Sequence, residues 1–174
     1  MLVLKVVGCV LVIISCSGMG LYFSECLKTR IEELVELKKI IVLLRGNIRY
    51  ANTPLSEALH SIAMRNQGDF SSFLQWVSSQ MEEMSGNTMA EIWELGVKKY
   101  LKNTALSKMD CEELIQFGKS LGYLDKEMQL GTIDLYIASL ETEIEESLKC
   151  SRQKIYLYNS LGVMGGIFIT IILI

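Results

Sequence analysis

The chain has 174 residues, half of them apolar, with 17 Lys and Arg against 20 Asp and Glu, a net charge of −3 and one histidine. That balance leaves no basic footprint for nucleic acid, and a lone histidine with no CxxC beside it lacks the usual donor set of a zinc site. The five cysteines are odd in number and unpaired in spacing, which points to free thiols.

The first element is apolar. Val6 to Phe23 carries no charge, and as a helix its residues reach ~27 Å, close to the ~30 Å hydrocarbon core of a bilayer. Residues 1–24 are therefore expected to form an N-terminal transmembrane helix. Ile13-Ile14-Ser15-Cys16 also fits a lipoprotein cleavage box with Cys16 as the lipidated residue. The apolar run continues past it through Met19, Leu21, Tyr22 and Phe23, which a cleaved signal would not require.

A stripe of Leu27, Ile31, Leu34, Leu37, Ile41, Leu44 and Ile48, stepping by three and four, predicts a long helix with one apolar face, ending between Gly46 and Asn52. Thr53 is the expected N-cap of the next helix, with Pro54 at its first position and Glu57 in its first turn, leading Leu55 to Arg65. Gly68 breaks the chain. Asp69 is expected to cap a helix carrying Phe70, Phe73, Leu74, Trp76, Val77 and Met81, which stops at Ser85-Gly86. Asn87 should cap another with Ile92, Trp93, Leu95 and Tyr100. Ser107 or Asp110 opens a further helix through Phe117 and Leu121, which Gly122 ends.

The last helix starts near Asp125 and shows a second stripe, Leu130, Ile133, Ile137, Leu140, Ile144 and Leu148. It runs on towards Ser160–Ile174, uncharged apart from the terminal carboxylate, so residues 156–174 are expected to be a C-terminal transmembrane helix with Tyr156 and Tyr158 at the interface. Gly18 and Gly20 in the first span, and Gly162 and Gly166 in the second, are small residues at which spans, or two copies, can approach closely. Lys28, Arg30, Lys149, Arg152 and Lys154 flank the middle region, against Lys5 alone in the outer tails. The positive-inside rule then makes residues 25–155 a cytoplasmic helical domain with both termini outside and almost nothing displayed there.

Two long helices tethered at the same membrane must run antiparallel. They are expected to pair as a stalk, with four short helices at its far end, giving an all-α bundle of about six helices. If Glu25 and Ile155 enter the membrane together, Lys38 lies level with residue 142. The Lys38-Lys39 pair then faces Glu141, Glu143, Glu145 and Glu146.

Little in the sequence reads as catalysis. His60 sits in an amphipathic helix with no second histidine, and its expected role is at the surface or as a helix cap. No GxxxxGK[ST] phosphate loop is present. Adjacent acidic residues such as Glu32-Glu33 and Glu112-Glu113 diverge by ~100° round a helix and read as solvated faces. Gly118 and Gly122 share one helix face, where another backbone can come close, either inside the domain or on a partner.

Two stretches go beyond generic helix: Ile48-Arg49-Tyr50-Ala51-Asn52-Thr53-Pro54-Leu55 with Ala58, and Gln116-Phe117-Gly118-Lys119-Ser120-Leu121-Gly122 with Asp125 and Gln129. With the hydrophobic ends, they resemble the stage III sporulation protein AB family. The resemblance implies a reduced version of the platform protein (the F component) of type II secretion and type IV pilus machines. It further implies membership of a complex spanning the two membranes around the forespore, whose AA component resembles a secretion ATPase. The implied role is a non-enzymatic platform in the mother-cell membrane, with that ATPase, the other membrane components, the lipid bilayer and further copies of itself as partners. No cofactor, metal or nucleic acid is implied. Tyr50, Thr53, Pro54, Phe117, Gly118, Gly122, Asp125 and Gln129 become a partner or packing motif. A membrane-anchored signalling or regulatory scaffold is the alternative.

Overall fold

The computed structural model describes residues 25–173 apart from 52, 84–85 and 123–124, with side chains described through residue 151. Among these residues there are six α-helices, one π-helical turn and no strand. Helix α1 covers residues 25–46 and passes directly into the π turn Asn47–Ala51. Then follow α2 (Leu55–Ala63), α3 (Asp69–Glu82), α4 (Met89–Tyr100), α5 (Lys108–Leu121) and α6 (Lys126–Leu173).

Helix starts follow hydrogen-bonding chemistry, with corrections to the expected caps. Ser107 caps α5 in a reciprocal box with Asp110: Asp110 N–H donates to Ser107 Oγ, and Ser107 N–H to the Asp110 carboxylate at 2.7 Å. Asp125 Oδ1 accepts the N–H of Met128 at 2.9 Å at the head of α6. The cap of α4 is Thr88 rather than Asn87, because Glu91 stands three residues on and completes the box. At α3 the cap position is Gly68, with φ of 86°, and Asp69 is the first helical residue. At α2 it is Pro54, and the Thr53 hydroxyl bonds back to the Asn47 carbonyl at 3.5 Å instead of capping. Gly122 ends α5 with φ of −76°, so its backbone makes no use of the left-handed freedom of glycine.

The chain divides into two compact units, Glu32–Ile144 and a second made of Met1–Ile31 with Glu145–Ile174. Within Glu32–Ile144, α1 and α6 run antiparallel, held by Lys38 Nζ at 2.8 Å from Glu141 Oε1 and Arg45 Nε at 2.6 Å from Asp134 Oδ1. The expected register therefore holds to within one residue. The short helices do not sit beyond this pair, as expected, but pack along its flank. Leu34, Leu37, Ile40, Ile41, Leu44 and Ile48 of α1 share one core with Leu59, Phe73, Trp93, Leu114, Ile133 and Leu140. The α1 stripe is wider than a two-helix seam and needs more than one partner helix to cover it. Within the second unit, Arg30 Nη1 donates to Ser147 Oγ at 3.0 Å, while Leu148, expected on the apolar stripe, is 43% exposed.

Among the described residues no helix is long and apolar enough to cross a membrane. The expected span 1–24, with Gly18 and Gly20, lies outside the described residues. In the expected span 156–174 the backbone continues α6 to Leu173, and its side chains, with Gly162 and Gly166, lie outside the description.

Candidate interaction surface

The second motif is built around small-to-large packing between α4 and α5. Trp93 is 1% exposed and seats its indole on Gly118, so closely that a Cβ there would overlap Trp93 Cδ1 and Cγ. Trp93 Nε1 donates to the Leu114 carbonyl at 2.9 Å, one turn back from Gly118 on α5. One turn further on, a Cβ at Gly122 would stand 2.9 Å from Met89 Cβ. Met89 and Trp93 are themselves a turn apart on α4, so two knobs meet two gaps. The same device joins α3 to α4, where a Cβ at Gly96 would lie 2.9 Å from Phe73 Cε2. Gln129 Nε2 then donates to the Leu121 carbonyl at 3.0 Å, and with the Asp125 cap this fixes the α5–α6 turn.

The first motif lies at the α1–α2 junction. Ile48 and Ala58 are in the core, whereas Tyr50 on the π turn is 83% exposed, with the Arg49 guanidinium 5.8 Å from its ring centre. Arg49 also lines a polar pocket of 340 Å³ with Lys126, Glu127 and Asp134, so this junction adjoins the start of α6. The structure thus places Ile48, Ala58, Phe117 and Gly118 in packing, Asp125 and Gln129 in turn-fixing bonds, and Tyr50 in solvent.

A second concavity was not marked in the sequence. An open groove of 530 Å³ runs between α5 and α6, floored by Phe117 and Tyr136, whose rings stack at 4.4 Å and 17°. Gln116 and Ser120 of the second motif line it, as do Glu112, Glu113, Thr132 and Ser139. Met109 and Leu135, 66% and 76% exposed, add apolar surface. Burial, then the nearby Glu113 carboxylate, pushes the Tyr136 hydroxyl above the phenol range. The available signal was Leu135, which lies off the core stripe of α6 but seven residues from exposed Met128, on the same face.

Catalytic chemistry finds little support in these side chains. Burial, reinforced by Asp110, pushes the Cys111 thiol up, away from the thiolate a nucleophile needs. His60 is exposed on α2, and no group of metal-binding side chains converges among the described residues. Surface charge is organised locally instead: hydrogen bonds from Lys98 and Lys119 hold the Glu94 carboxyl below the usual carboxylate range, and the Lys119 contact ties α5 to α4.

Comparison with known proteins gives one consistent result. The family model of stage III sporulation protein AB matches residues 5–174. A curated relative, stage III sporulation protein AB of Bacillus subtilis (strain 168), is 26% identical over 170 residues, 98% of this chain and 99% of the relative. A solved structure of a stage III sporulation protein AB is similar with a TM-score of 0.65 and 27% identity, covering 71% of this chain and 97% of that one.

Proposed function

This chain belongs to the stage III sporulation protein AB family, and from that premise we propose that it is a non-enzymatic assembly component of a sporulation complex, a membrane platform that recruits or couples a secretion-type ATPase. The family match carries the reading, because it runs over residues 5–174 and so includes both hydrophobic ends along with the helical middle. In this reading residues 1–24 and 156–174 anchor the protein in the mother-cell membrane around the forespore. Residues 25–155 face the cytoplasm, where a soluble ATPase is within reach. Helices locked by Trp93 on Gly118 and by the α1–α6 ion pairs suit a rigid mount, which transmits force without deforming. The exposed Tyr50 and the α5–α6 groove are the surfaces such a mount can offer to partners.

The experiment is fractionation of the companion AA ATPase in sporulating cells with and without this protein. The ATPase is expected in the membrane fraction only when the protein is present. An ATPase distribution that does not change on deletion removes the coupling role.

A further inference from the structure

We propose that a second copy of this chain docks into the α5–α6 groove through the solvent face of its own α1. This rests on the membrane anchoring proposed above, since anchored copies share one orientation and one height.

The donor face is Val35, Lys39 and Val42. The two valines are 48% and 43% exposed, and exposed Lys39 makes no ion pair among the described residues. These residues recur every three or four positions and so form one stripe, turned away from the buried Leu37, Ile41 and Leu44. The acceptor is the groove, with Met109 at one end, Glu112 and Glu113 on its rim, and Leu135 beside the stacked Phe117 and Tyr136.

The two patterns stand at the same heights. Lys38 is level with Glu141 and Arg45 with Asp134, so Val35 is level with Ile144, Lys39 with Leu140 and Val42 with Ile137. On the other side, Ser139 Oγ donates to Glu113 at 3.4 Å and Phe117 stacks on Tyr136, which puts Met109 level with Glu143 and Glu112 with Leu140. Between two copies standing side by side, Val35 therefore meets Met109, Lys39 meets Glu112 and Glu113, and Val42 meets the Tyr136 level, each within about one residue or ~1.5 Å. Apolar faces apolar, and the lone cation faces the two acids. Directions agree as well. Both α1 and α5 run antiparallel to α6, so an incoming α1 of the same orientation lies parallel to α5.

The donor stripe and the groove are different surfaces of one molecule. On α6, Asp134 and Glu141 face α1, while Thr132 and Tyr136 of the groove lie roughly 160° away round the helix. A copy's own α1 thus leaves its groove open. The contact is heterologous, each copy donating to one neighbour and accepting from another, which builds a ring or an open row in the plane of the membrane.

The test uses the full chain in membranes, with its native cysteines changed to serine and two epitope tags. Copies carrying Lys39→Cys and copies carrying Glu113→Cys, treated with a short bis-maleimide, are expected to give a product bearing both tags. Neither variant alone should cross-link. Lys39→Glu and Glu113→Lys should each abolish co-purification of the tags, and mixing the two variants should restore it, because both contacts are then oppositely charged. Absence of the mixed product, or symmetric products of either variant alone, overturns the proposal. So does co-purification that ignores both charge reversals. An alkaline carbonate wash separates the two readings: retained protein without the mixed product overturns docking alone, and release overturns the anchoring and the docking with it.

Discussion

The indole of Trp93 fills the space that a side chain at Gly118 would need, and its Nε1 donates to the Leu114 carbonyl one turn back on the same helix. Phe73 and Phe117 hold the indole from two sides at 5.0 and 6.0 Å, each edge to face, so it has nowhere to retreat. The α4–α5 separation is set at this point.

Gly118→Ala should therefore cost ~1–3 kcal/mol through overpacking, and a bulkier Gly118→Leu should prevent the bundle from forming. Gly131→Ala is the contrast. Its Cβ would meet nothing within 4 Å at this exposed position of α6, so helix propensity alone acts and stability should rise by ~0.5–1 kcal/mol. Denaturant unfolding followed by tryptophan fluorescence reads both, and equal effects of the two alanines would refute the packing account.

Lys38 and Glu141 fix register more than energy. Their side chains are 34% and 53% exposed, so Lys38→Ala is expected to cost no more than ~1 kcal/mol. Cysteines at both positions should nonetheless be joined within one molecule by a short bis-maleimide. If Lys38→Cys instead couples efficiently with Glu145→Cys, one turn away, the α1–α6 register is wrong.

Burial raises the pKa of Glu33 above 4.5, only partly offset by the backbone N–H groups of Ala105 and Leu106, and its buried Oε2 has no hydrogen-bond partner among the described residues. A carboxyl with a raised folded pKa favours the folded state when protonated, and that contribution is lost as pH rises through the raised value. Glu33→Gln keeps an acceptor for the loop and removes the charge. Its stability relative to the parent should grow as pH climbs from 4.5 towards neutrality and then level off. A difference that stays flat with pH would show that the carboxylate is already well solvated.

Helix caps give a further discrimination. Asp125→Ala removes the acceptor for Met128 N–H and should cost ~1 kcal/mol. Thr53→Ala removes only a 3.5 Å bond to Asn47 and should cost much less. Thermal midpoints of the two variants decide, and a larger loss at Thr53 would restore it as a cap.

What was legible in the sequence was what repeats or what is local. The stripes of α1 and α6 announce two long helices, and the expectation that both are tethered to one surface predicts the antiparallel pairing that brings Lys38 to Glu141. Ser107 and Asp125 act within three residues, so their caps are readable. Thr53 was not, because the π turn draws its hydroxyl back to Asn47, and no local pattern announces a π turn. Gly122 read as a helix stop and does end α5, but the sequence does not show its other contribution, the room it leaves for Met89. The groove was hidden for a related reason: Phe117 and Tyr136 each look like ordinary core residues until α5 and α6 are laid together.

Trp93 and Gly118 also behave as one heritable unit. Enlarging the glycine overpacks the site while the indole is in place, and shrinking the indole opens a void and removes its hydrogen bond to the Leu114 carbonyl. Neither position can drift by itself. Variation here should come only as a joint exchange, so a lineage that alters one of the two is expected to carry a compensating change at the other.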